Sequence, residues 1–154
     1  MLYFAYGSNM AWDQMRDRCS SARFVGIALL PDHKLAFTRK SVNRNCGVAD
    51  AVAQGGQKIW GVVYEISDLD VGKLDTSEGY RPGREKNSYS RHERLVFVDG
   101  DDTRPMTVAV YFADPQPNPP LPNNEYKNLI LLGARHWHLP ADYILQLEEI
   151  KAPE

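Results

Sequence analysis

Apolar residues come first in strand-like runs and only later at helical spacing. Tyr3, Phe4, Ala5 and Tyr6 make a short run with no polar position, the pattern of a strand buried on both faces. Gly7 breaks the run, and Ser8 and Asn9 are residue types that cap helices, so the pattern predicts a helix from Met10 to Arg18 with Met10 and Met15 inward. Ala22 to Leu30 and Lys34 to Thr38 read as extended segments separated by Pro31 and Asp32. Ser41 to Gly47 is polar and reads as a loop. Val48 to Ala53 resumes a strand, and Gly55-Gly56 is a hairpin signal leading into Lys58 to Ile66. That last strand is apolar on both faces, which places it centrally in its sheet, and Gly61 within it marks a bulge or a close approach.

Further along, Ser67 and Asp70 form a capping-box-like start for a helix carrying Leu69, Val71 and Leu74 and stopping near Glu78-Gly79. A polar, basic loop from Arg81 to Ser90 follows. Arg91 to Val98 and Met106 to Phe112 read as strands joined through an Asp99-Gly100 turn. Asp114 to Pro122 holds too many prolines for regular structure and reads as a stiff connector or a lid. Asn123 or Asn124 caps a helix with Tyr126, Leu129, Ile130, Gly133 and Trp137 near one stripe. Pro140 opens a last helix with Tyr143, Ile144, Leu147 and Ile150 at helical spacing. Strands first, with helices inserted and then appended, predict an α+β fold on one mixed or closed sheet, occupying residues 1–154 as a single domain.

Composition narrows the function classes. The 154 residues are 43% hydrophobic and 25% charged, with net charge −2, so no general attraction to nucleic acid or an anionic membrane is expected. No apolar run is long enough to span a bilayer. The run from Tyr3 begins almost at Met1, leaving no room for a signal peptide, and a cytoplasmic protein is expected. Cys19 and Cys46 match neither a metal spacing nor a disulfide framework, and no metal or cofactor is expected.

Two stretches stand out chemically. The turn at Gly7, Ser8 and Asn9 is either simply a capped strand-to-helix turn or an anion site, where unpaired N–H groups meet a carboxylate, a phosphate or an oxyanion. Glu78, at the end of a helix and before Gly79, is either an exposed helix-end glutamate or a carboxylate pointing inward from a rigid element. His136 and His138 flank Trp137 two residues apart, so on a helix they face different ways and read as helix-end histidines rather than ligands of one ion. The basic residues Arg81, Arg84, Lys86, Arg91, His92 and Arg94 read as a solvated loop and edge strand, with attraction of an acidic substrate as the competing reading.

The YFAYGSNM opening, the KIWGVVYEI strand, the LDTSEGY stretch and the NNEYKNLILLGARHWHLP tail together resemble the γ-glutamylcyclotransferase family, over nearly the whole chain and in order. The resemblance implies a small β-barrel-like mixed sheet with flanking helices and a cavity beside the first turn. It implies cyclisation of a γ-glutamyl amino acid or amide to 5-oxoproline with release of the amine, and leaves room for a homodimer. Its catalytic glutamate falls on Glu78, and its substrate-binding residues fall on Tyr3, Phe4, Ala5, Tyr6, Gly7, Ser8 and Tyr126. The Gly79 to Arg91 segment is longer than in compact members and would reshape the cavity mouth. The alternatives are a cyclotransferase acting on γ-glutamylamines or carrier-linked γ-glutamyl groups, and a non-catalytic sensor of γ-glutamyl metabolites.

Overall fold

Five strands close into a barrel in the computed structural model, which describes residues 1–153. They are β1 (Leu2–Ala5), β2 (Arg23–Ser41), β3 (Cys46–Glu65), β4 (Tyr89–Val98) and β5 (Pro105–Ala113), neighbouring in the order β1-β3-β2-β4-β5. β1 runs antiparallel to β3, with Tyr3 opposite Tyr64, and parallel to β5, with Tyr3 opposite Ala109. That one parallel contact makes the sheet mixed and closes it. Four helices flank the barrel: α1 (Trp12–Arg18), α2 (Asp68–Ser77), α3 (Asn124–His136) and α4 (Ala141–Glu148). No helix among the described residues is long and apolar enough to cross a membrane.

The expected strands are present, but their connections differ at one place. Val48 to Ala53 and Lys58 to Ile66 do not form a hairpin through Gly55-Gly56; both belong to β3 and both pair with β2. Pro31 is opposite Lys58 and His33 is opposite Ala53, so residues 54–57 bulge out against Asp32. Asp32 adopts φ 59 and accepts the Gly56 N–H at 3.1 Å, with Gly56 at φ 82. A Gly-Gly pair suits this bulge as readily as a two-residue turn, because each can use a positive φ, here at Gly56. The actual hairpin turn is the polar segment after Ser41, closed by the Asn45 N–H donating to the Ser41 carbonyl at 2.8 Å.

β3 is central, between β1 and β2, and buries Ile59, Val62, Val63 and Tyr64. Gly61 is a close approach: a Cβ there would lie 2.5 Å from the Ala5 carbonyl oxygen and 2.7 Å from the Phe4 ring. Ser67 precedes α2 as expected, yet its side chain makes no capping bond. Asp70 instead accepts the Ser21 N–H at 3.0 Å and the Ser21 hydroxyl at 2.5 Å, tying α2 to the segment before β2. Leu69 is 91% exposed, and Leu74 carries the buried face of α2. Asn123 caps α3 by accepting the Tyr126 N–H at 2.8 Å. The proline-rich connector is fastened at both ends: Gln116 N–H donates to the Thr38 carbonyl at 2.8 Å, and Gly47 N–H to the Leu121 carbonyl at 3.0 Å.

Candidate active site

The turn after β1 is tighter than a capped α-helix. Ser8–Met10 form one 3-10 turn, and α1 starts only at Trp12, with Ala11 in the capping position. Ser8 and Asn9, 8% and 3% exposed, are not caps; their side chains are committed inward. Gln14 Nε2 donates to Ser8 Oγ at 2.8 Å and to Asn9 Oδ1 at 2.9 Å, and Arg18 donates to the same Asn9 oxygen at 2.9 Å. The backbone N–H groups of Gly7, Ser8 and Asn9 find no protein acceptor among the described residues. Behind the turn, Tyr64 donates to the Asn9 carbonyl at 2.9 Å and Trp137 Nε1 to the Met10 carbonyl at 2.9 Å. α3 lies against the same place, since a Cβ on Gly133 would come within 2.5 Å of Met10 Cβ. A turn braced in this way presents its free N–H groups in a fixed direction.

A cavity of about 450 Å³ opens beside this turn. Glu78 lies in its wall at the C-terminal cap of α2, where Gly79 at φ 67 turns the chain away and would place a Cβ 2.9 Å from Ser88. Asn9 is the link between the two predicted stretches: its Nδ2 donates to Glu78 Oε1 at 3.2 Å and to the Tyr3 hydroxyl at 3.0 Å. Burial pushes the Glu78 carboxyl up to about 7, against the smaller opposing influence of the Arg18 and Arg44 guanidinium groups, with Asp75 adding to the rise. A carboxyl poised there exchanges a proton readily at neutral pH.

Tyrosines make up much of the remaining wall: Tyr3, Tyr6, Tyr89, Tyr111 and Tyr126. Tyr6 donates to the Tyr111 carbonyl at 2.5 Å, Tyr89 donates to the Ala49 carbonyl, and Tyr111 donates to Asp75 Oδ1 at 2.6 Å. The Tyr3 and Tyr126 hydroxyls differ, because they accept, from Asn9 Nδ2 and from the Ala49 N–H, each at 3.0 Å, and keep their own protons to offer. Burial holds the phenols of Tyr3, Tyr6, Tyr89 and Tyr126 above their ordinary range, so they act as neutral donors and apolar walls. Asp75, itself buried, is held by both oxygens to one Arg91 nitrogen at 2.8 Å, and this fastens the end of α2 to β4 just before Glu78.

Of the residues expected at the site, Tyr3, Tyr6, Gly7, Ser8, Glu78 and Tyr126 line the cavity together. Phe4 and Ala5 do not. Alternation along β1 turns the Phe4 ring away, under Gly61, and Ala5 is buried with its carbonyl against the same glycine. The basic segment is also elsewhere: from 79 to 94 only Gly79, Ser88 and Tyr89 reach the cavity. Arg84 folds back on Asn87 and the Gly79 carbonyl, Arg91 serves Asp75, and Arg94 lies over Phe112. The cavity's cations are instead Arg18, Arg39, Lys40 and Arg44. Sequence reasoning missed these four, and it read Asn9 as a cap or a backbone donor without the side-chain bond to Glu78. The one available signal for Arg44 was its place in a polar loop, which the chain shares with many surface arginines. His136 ends α3 and Trp137 stacks on Phe24 with ring centroids 4.1 Å apart. No group of three or more His, Cys, Asp or Glu among the described residues is arranged to hold a metal ion.

Fold and site together define a class: small mixed-barrel proteins with one buried carboxyl, held above its ordinary range, set against a turn of free N–H groups in a tyrosine-lined cavity. Residues 3–137 match the family described as gamma-glutamyl cyclotransferase, AIG2-like, and the chain belongs to that family. It is 32% identical to human gamma-glutamylcyclotransferase over 154 residues, covering 97% of this chain and 78% of the human protein. The bovine gamma-glutamylcyclotransferase matches to the same extent. A solved gamma-glutamyl cyclotransferase structure superposes with a TM-score of 0.89 at 30% identity, covering all of this chain and 89% of that one. A yeast gamma-glutamyl cyclotransferase specific to glutathione shares the fold, with a TM-score of 0.62 at 14% identity over 97% of this chain and 94% of that one.

Proposed function

We propose that the protein is a γ-glutamylcyclotransferase that converts a small γ-glutamyl compound into 5-oxoproline and a free amine, with Glu78 as the proton-transfer group. The observation that carries this is the Glu78 carboxyl, poised at about 7 and tied by Asn9 to the free N–H groups of the turn. The substrate's own α-amine is the nucleophile, so no protein nucleophile is consumed. At neutral pH that amine, with a pKa near or above about 8, is mostly protonated. Glu78 takes one proton from it, and the freed nitrogen attacks the γ-carbonyl carbon. A C–N bond forms and the carbonyl electrons move onto oxygen. When the carbonyl reforms, the bond to the departing amine breaks; Glu78 returns the first proton to that nitrogen and passes on the second, which the attacking nitrogen gives up in becoming the lactam N–H, so the amine leaves as its ammonium. The Gly7 and Ser8 N–H groups serve an anionic group of the substrate, either its α-carboxylate or the oxyanion. Tyr126 and Tyr3 narrow the cavity so that the flexible glutamyl chain folds into attack geometry.

The test is 5-oxoproline release from γ-glutamyl dipeptides and γ-glutamyl amines, with wild type beside Glu78→Gln. Wild-type turnover that falls by on the order of 10²-fold or more in a folded variant is expected. Near-normal turnover in Glu78→Gln rejects Glu78 as the base. Tight binding of γ-glutamyl compounds by the wild type with no product favours a sensor instead.

A further inference from the structure

The cavity is charged opposite to the protein as a whole. The chain carries net charge −2, yet its cavity wall holds Arg18, Arg39, Lys40 and Arg44 against the single carboxylate of Glu78. Three of the four cations come from one place, the tip of the β2–β3 hairpin. Their backbone is held fast: Lys40 N–H donates to Gln116 Oε1 at 2.9 Å, and Arg44 N–H to Ser41 Oγ at 3.2 Å. The Arg44 guanidinium is stationed 5.0 Å over the Tyr126 ring and donates to Gln14 Oε1 at 2.7 Å, with no carboxylate partner among the described residues. Lys40 Nζ has neither an ion pair nor a hydrogen bond among them. Arg39 leans on the Asp114 carbonyl at 3.1 Å, with the Asp114 carboxylate 3.9 Å away. Cations gathered in a concave wall, two of the three at the hairpin tip without a carboxylate partner among the described residues, favour an anionic ligand.

The γ-glutamyl end of a substrate neutralises none of this excess, since its α-ammonium and α-carboxylate cancel. Its place is deep, between the turn and Glu78. The hairpin tip is more exposed, with Lys40, Val42 and Asn43 facing solvent, and so borders the outer part of the cavity that the departing amine must occupy. Resting on the cyclotransferase reading, we propose that Arg39, Lys40 and Arg44 form a leaving-group subsite that selects γ-glutamyl compounds whose departing amine carries two carboxylates. A departing residue with one carboxylate ranks second, and a plain alkylamine ranks last. The reaction is unchanged; only the charge on the departing fragment differs.

The ranking is read from kcat/KM for 5-oxoproline release from γ-glutamyl-glutamate, γ-glutamyl-alanine and γ-glutamyl-n-butylamide. Each additional carboxylate is expected to raise kcat/KM by on the order of two- to fivefold, chiefly through KM, and the ratios should shrink as salt is added. Lys40→Glu, whose side chain makes no contact the fold depends on, should compress the ratio between the glutamate and butylamide substrates. Arg44→Gln should do the same with kcat less affected than KM. Product from all three substrates at equal kcat/KM overturns the subsite, as does a Lys40→Glu protein that keeps the wild-type ratio. Absence of 5-oxoproline from every substrate overturns the reaction itself, which separates the two failures.

Discussion

Replacing Glu78 with Gln should cost activity and gain stability, and the gain should appear only as the pH rises. The carboxyl titrates at about 7 in the folded protein against 4.5 as the ordinary value, because burial disfavours its charged form. A carboxyl whose folded value is raised binds its proton more tightly in the native state. The fold therefore loses stability as pH climbs from about 4.5 through about 7 and then levels off. At about 1.4 kcal/mol per pH unit, the penalty reaches on the order of 3 kcal/mol above pH 7 and is close to nil at pH 4. Gln is nearly isosteric, keeps an oxygen to accept from Asn9 Nδ2, and carries no charge to desolvate. Every other titrating group is common to both proteins, so the difference between them isolates this position. Urea denaturation of wild type and Glu78→Gln at pH 4.5, 6 and 8 should show midpoints that nearly coincide at the lowest pH and separate progressively. At pH 8 the variant's melting temperature should stand roughly 10 °C above wild type for a domain of this size. A stability difference that is constant across the pH range, or that favours wild type at pH 8, refutes the buried, uncompensated carboxylate.

The same titration should govern catalysis: kcat/KM is expected to rise with pH through about 7 and to fall again as the substrate ammonium deprotonates, a profile that steady-state kinetics across pH 5.5–9.5 checks. Arg18→Met removes the larger of the two cationic influences that hold the carboxyl down, so the acidic limb should move to higher pH, and a limb that stays put rejects that influence. Gly133→Ala would drive a Cβ to within 2.5 Å of Met10 Cβ, and denaturation should show about 1–3 kcal/mol of lost stability with a fall in turnover as the turn is displaced.

Local chemistry was legible where one residue dictates one outcome. A four-residue apolar run read as a strand and Gly79 as a sharp turn, so both stretches stood out before any fold was known, each with a bland reading beside the functional one. What joins them did not. Asn9 reads as a cap by residue type, and only the closure of the barrel, bringing positions 9 and 78 into hydrogen-bond reach, gives it a different partner. Gly55-Gly56 failed for a related reason: glycine's freedom at positive φ suits a hairpin and a bulge alike, and the choice is made by β2, which pairs with both flanking segments. Charge was least legible of all. Six basic residues between 81 and 94 drew attention by density, yet none of them lines the cavity, and Arg84, Arg91 and Arg94 turn to Asn87, Asp75 and Phe112. Of the cations that face the cavity, Arg39, Lys40 and Arg44 sit close together at the β2–β3 hairpin tip and Arg18 lies apart on α1, and nothing in the sequence turns either stretch toward Glu78.

This division explains why a small barrel can host the chemistry. Cyclisation asks little of the protein in reactive groups, since the nucleophile arrives with the substrate, and much in placement, since a flexible chain must close on itself. The fold supplies placement redundantly: β1 sits between two partners, the turn after it is braced by Tyr64, Trp137 and α3, and the end of α2 is fastened through Asp75 to Arg91 and Tyr111. Rigidity on both sides then allows one carboxylate to be left where water cannot fully solvate it, at a cost to stability that the surrounding core absorbs. A looser scaffold would relax around Glu78, return it toward its ordinary range and lose the proton exchange at neutral pH. The raised carboxyl and the doubly braced turn are thus one design requirement met from two separate stretches of the chain.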